Sequence, residues 1–67
     1  MIKIQTSGLY CYHVTGDLEK AAAEELTRVY DFLMRSHLSG DAFHVEFSDA
    51  KKRIEKEYDV EIKASIF

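Results

Sequence analysis

The stretch DLEKAAAEELTRVYDFLMRSHL, residues 17–38, carries an apolar stripe that holds for six turns of helix. At about 100° per residue, Leu18, Ala22, Leu26, Val29, Tyr30 and Leu33 fall on one side, with Ala21 and Phe32 at one margin and His37 at the other. Lys20, Glu24, Arg28, Asp31 and Arg35 fall opposite. The remaining chain must supply a surface that covers this stripe. Asp17 is the expected N-cap, its carboxylate accepting from first-turn amides, and Gly40 the expected left-handed stop. Glu24 with Arg28, and Asp31 with Arg35, are i, i+4 pairs of a solvated face.

Upstream, Ile2, Ile4, Tyr10, Tyr12 and Val14 alternate with Lys3, Gln5, Cys11 and His13, the period-two pattern of a half-buried strand pair. Two hairpin registers are open and exchange the inward faces. A two-residue Ser7-Gly8 turn needs positive φ at Ser7, whereas a three-residue loop, Thr6-Ser7-Gly8, asks only Gly8 to enter the left-handed region and is preferred. It turns Lys3, Gln5, Leu9, Cys11 and His13 away from the helix. A single long strand with a bulge at Ser7-Gly8 is the alternative. Downstream, Phe43, Val45 and Phe47 alternate with Ala42, His44 and Glu46, which reads as a third strand. Ser48-Asp49 then caps a short helix, Ala50 to Tyr58, held by Ala50, Ile54 and Tyr58. Val60, Ile62, Ala64 and Ile66 form a last strand. These elements predict an α+β two-layer sandwich of order ββαβαβ. One long and one short helix pack on one face of a small mixed sheet, and a right-handed crossover links the last two strands.

With 67 residues the chain has room for one core, so residues 1–67 form one α+β domain close to the size at which stability becomes marginal. Self-association would supplement it, and a homodimer is a natural expectation. The single cysteine excludes an internal disulfide and fits a reducing compartment. No signal-peptide pattern opens the sequence and no apolar run approaches the length of a membrane span, so a soluble, cytoplasmic protein without a membrane partner is expected. A net charge of −3 gives no footprint for a phosphate backbone. Lys51, Lys52, Arg53 and Lys56 are interleaved with Asp49, Glu55 and Glu57, so nucleic acid is not an expected partner either.

The sequence contains no Gly-rich phosphate loop, paired-Cys zinc motif, Gly-x-Ser-x-Gly elbow or His-Glu-x-x-His helix. No cofactor is therefore expected. The chemically capable side chains gather on the expected open sheet face, with Cys11 and His13 two apart on one strand and His44 and Glu46 two apart on another. Were those strands close, imidazole, thiol and carboxylate could hold a zinc-like ion, or a histidine could activate Cys11 as a nucleophile. A small two-layer domain has little volume to enclose a substrate, however, and binding is the better expectation. The expected function is that of a small non-enzymatic protein-binding or regulatory module, an adaptor, inhibitor or small subunit of the kind phage and mobile elements encode. Its interaction surface would be Leu9, Cys11, His13, His44 and Glu46, with an unpaired edge strand as a further point of attachment.

Overall fold

Residues 1–6 and 10–66 are described by the computed structural model. They form β1 (Ile2–Gln5), β2 (Tyr10–Thr15), α1 (Glu19–Arg35), α2 (Gly40–Tyr58) and β3 (Glu61–Ile66). The sheet has three strands in the order β1-β2-β3, antiparallel throughout. Both helices cover the same face, through Tyr12, Val14, Ile2, Ile4 and Ile62. The two-layer α+β class and the shared helix side match the expectation. The element order is ββααβ instead of ββαβαβ, and the sheet is not mixed, so the right-handed crossover does not exist.

The difference lies in residues 40–58. Phe43, Val45 and Phe47 do alternate, but Phe43 and Phe47 also stand i, i+4, and Ala50, Ile54 and Tyr58 continue the same row at +3, +4 and +4. That row is one helical stripe. Phe47 and Ile54 are buried on it, whereas Val45 is 56% exposed on the far side. Upstream, Ser39 starts the helix as an N-cap whose hydroxyl accepts from the Ala42 amide. Ser48-Asp49 lies inside the helix. Gly40 is accordingly the first residue of α2 and not the stop of α1, which ends where the Ser36 amide donates back to Phe32 and Leu33 and His37 takes φ 55°. Residues 36–39 join two helices that pack side by side, an αα-hairpin.

α1 covers β1 and β2 much as its stripe requires. Ala22, Ala23, Leu26 and Leu33 are buried and Val29 and Tyr30 pack against them, but Leu18 is exposed. Leu18 instead of Asp17 occupies the cap position, and no side chain caps the helix. The Glu19 amide donates to the Gly16 carbonyl in a tight turn. On the strands, Ile2 faces Val14 and Ile4 faces Tyr12. That register is two residues away from the expected one, and because the side-chain period is two it keeps the described strand residues on the faces expected. The expected loop falls largely on residues 7–9, outside the described residues.

At its far end α2 stops with Asp59 in the left-handed conformation, and the Val60 amide reaches back to the Glu55 carbonyl. β3 then returns antiparallel to β2, Ala64 opposite Tyr12 and Ser65 opposite Cys11. No helix among the described residues is long and apolar enough to cross a membrane.

Candidate recognition groove

The open sheet face gathers only part of the expected constellation. Cys11 Sγ lies 3.1 Å from Ser65 Oγ and 3.6 Å from His13 Nε2, and Ser65 Oγ is 3.0 Å from the same imidazole nitrogen. Ser65, which the alternation of β3 places opposite Cys11, therefore completes a thiol–hydroxyl–imidazole cluster. His44 and Glu46 do not join it. Both lie on α2, in the other layer, and among the described residues no three His, Cys, Asp or Glu side chains gather where they could hold a metal ion. Cys11 is also only 3% exposed, hidden in the central strand beneath its neighbours. The cluster satisfies polar groups on the sheet and offers little access to a substrate. Leu9 lies outside the described residues.

The inner face has a more developed cavity. α2 leaves the end of the sheet near Tyr10 and Ala64 uncovered, and a groove of about 440 Å³ opens there. Its walls are aromatic. The rings of Tyr12 and Phe47 meet edge-on at 5.2 Å, and those of Tyr30 and Phe43 at 5.5 Å. Edge-to-face contacts of this kind are a favoured arrangement of aromatic rings and tie the groove's walls to the core. A wider hollow of about 900 Å³ beside His13 and Ser65 is shallow and mostly open.

One flank of α2 borders the groove. His44, Ser48, Lys51 and Glu55 recur at i, i+4, i+7 and i+11, the spacing of one helix row. Two contacts fix where that row points. Lys51 Nζ stands 5.1 Å from the centroid of the Tyr12 ring and 5.4 Å from that of Phe47, in cation–π range of both. Glu55 Oε2 accepts the backbone amide of Ile62 at 3.0 Å. Burial raises the Tyr12 phenol above its ordinary pKa of 10.0, and neighbouring Tyr30 and Tyr10 add repulsion against its ionised form.

The Glu55 contact also orients the edge of the sheet. An amide held by a helix side chain points away from β2. Main-chain groups alternate in direction along an antiparallel strand, so the N–H and C=O of Ala64 and Ile66 also point outward, along an edge with no neighbouring strand among the described residues. Glu55 closes this edge at Ile62 and leaves it open at Ala64 and Ile66. Ile66 is 71% exposed and Tyr10 48%. The groove and the open edge are thus continuous at Ala64, which lines the one and belongs to the other.

Of the residues singled out in the sequence, His44 lines this groove, Cys11 and His13 lie on the opposite face of the sheet, and Glu46 is exposed on α2. Sequence alternation makes Tyr10, Ala64 and Ile66 inward strand residues and Lys51 one of the charges of a solvated helix, not parts of a binding surface. The signal available for them was the α2 row at 44, 48, 51 and 55, which appears only once residues 40–58 are read as one helix. The chain matches no protein-family model, no curated protein and no solved structure.

Proposed function

We propose that this chain is a small non-enzymatic protein-binding module, an adaptor, inhibitor or small subunit acting by surface occupation, and that it receives an extended protein segment along β3 and in the adjoining groove. The observation that carries this is the continuity of an open strand edge at Ala64 and Ile66 with an aromatic groove of about 440 Å³. An added strand gains affinity from main-chain hydrogen bonds and specificity from a side chain that drops into a pocket. Aromatic walls favour an apolar side chain there. Lys51, already desolvated on one side by two rings, favours an acidic neighbour.

Support for a non-enzymatic role is that Cys11, the strongest nucleophile in the sequence, is buried on the other side of the sheet from the groove. Against nucleic acid as a partner, Lys51 faces the groove while Arg53 is engaged by Glu25 and Glu57 on another flank, so the basic residues of α2 make no common stripe. The free thiol suits a reducing, cytoplasmic setting.

The test is a displayed library of random peptides panned on sparsely immobilised protein. Enrichment of segments with an apolar anchor, lost on an Ala64→Pro variant that lacks the outward amide, is the expected result. No enrichment, or enrichment indifferent both to that variant and to Tyr10→Lys, contradicts the proposal.

A further inference from the structure

We propose that a second copy of this chain is an occupant of that surface, the two molecules joining β3 to β3 across a two-fold axis that passes through Ser65. The inference rests on the groove and edge being a binding surface, and it names the partner.

The outer edge of β3 is self-complementary. The outward main-chain groups of Ala64 and Ile66 are two residues apart, so an antiparallel copy centred on Ser65 sets Ala64 opposite Ile66 of the partner, and the reverse. Each amide then donates to the other residue's carbonyl, which gives four inter-chain hydrogen bonds by symmetry. The register leaves Ile62 to its bond with Glu55, whereas centring on Ala64 would require that carboxylate to be displaced. The Ile66 side chain, 71% exposed in the single copy, lies opposite the small Ala64 of its neighbour, at the mouth of the neighbour's groove. The occupant of each groove is therefore the exposed isoleucine of the other copy.

Charge permits this arrangement. Ser65 meets Ser65 on the axis, and Lys63, engaged by Glu61 at 3.1 Å on its own strand, does not face its own image. β1 is less suited to the same use, because the same alternation makes Lys3 and Gln5 its outward residues and Lys20, Glu24 and Arg28 flank it on α1. The result is one six-stranded antiparallel sheet with all four helices on one side. The contact is small, so the association is weak and concentration-dependent.

Sedimentation equilibrium of the wild-type chain tests this up to about 1 mM, where a contact of only about 4 kcal/mol is already half-populated. The mass is expected to rise toward twice the monomer value, and Ile66→Lys, at an exposed position that leaves the fold intact by circular dichroism, is expected to stay monomeric. The axis is tested by Cys11→Ala/Ser65→Cys. Residues facing each other in a non-hydrogen-bonded pair have Cα atoms about 4.5 Å apart, within disulfide range, so mild oxidation is expected to give a covalent dimer. A strictly monomeric wild type overturns the proposal, as does dimerisation unchanged by Ile66→Lys. If the wild type is monomeric but the peptide library binds in an Ala64-dependent way, self-association falls and the groove stands as a site for other partners. A dimer cross-linked at position 65 with no library binding supports self-association and overturns the wider partner reading.

Discussion

A methyl group added at Gly16 would stand 2.8 Å from Val60 Cγ1 and 3.1 Å from the Asp59 carbonyl oxygen, and the residue has φ 150°, where an L side chain is strained. Sequence and tertiary packing thus demand glycine at the same point, where β2 gives way to α1 and the end of α2 closes over the turn. Gly16→Ala is expected to lower stability by about 1–3 kcal/mol in denaturant titration. Relief of the contact alone, in Gly16→Ala/Val60→Ala, should not restore it, because the backbone strain remains. Tyr12 gives a second prediction at this scale. Its phenol titrates above 10.0 in the folded chain, so between the unfolded and folded values the native state holds the proton that the unfolded state has lost. Its contribution is therefore complete below pH 10 and is lost as pH rises through the folded pKa. Stability should fall less steeply above pH 10 in Tyr12→Phe than in the wild type, and an unchanged slope would contradict the burial of this phenol.

The second helix is the element on which local pattern and tertiary structure part. A strand over Phe43–Phe47 would put Phe43, Val45 and Phe47 on one face; a helix separates Val45 from the other two by most of a half-turn. Truncation distinguishes them. Phe47→Ala removes a ring that is 4% exposed and packed against Tyr12 and Tyr30, and is expected to cost about 3–5 kcal/mol. Val45→Ala is expected to stay within about 0.5 kcal/mol. Similar large losses at both positions would return this segment to a sheet. For α1, Leu26→Ala should cost about 2–5 kcal/mol at a residue only 1% exposed, against about 0.5 or less for Arg28→Ala. The contrast explains what could be read in advance. The α1 stripe runs long enough that only a helix satisfies it, and Ile2, Ile4, Tyr12 and Val14 have one consistent alternation. Five residues such as Phe43–Phe47 satisfy period two and period 3.6 equally, and the tie is broken by Ala50, Ile54 and Tyr58 further along.

At the scale of the molecule, a helical hairpin on one face of three strands cannot cover the whole sheet, and the uncovered end becomes the groove. That consequence was hidden in the sequence because it depends on α2 lying over β3, a relation between segments and not a property of either. Were His44 and Glu46 on a strand close to that of Cys11 and His13, the four could meet on one sheet face. With both on α2, His44 turns to the groove, and Cys11 and His13 are left with Ser65. Main-chain direction was equally invisible, since side-chain alternation says which face a residue occupies but not whether its amide pairs inward or outward. Glu55 supplies that information by holding the Ile62 amide.

The most direct measurement is amide hydrogen exchange at Ala64 and Ile66 across protein concentration, followed by nuclear magnetic resonance. In dilute protein both outward amides should exchange rapidly while those of Lys63 and Ser65, directed at β2, are protected; at high concentration Ala64 and Ile66 should become protected as well. Protection already present in the dilute monomer would contradict the open edge, and rapid exchange at every concentration would contradict its occupation by a second copy.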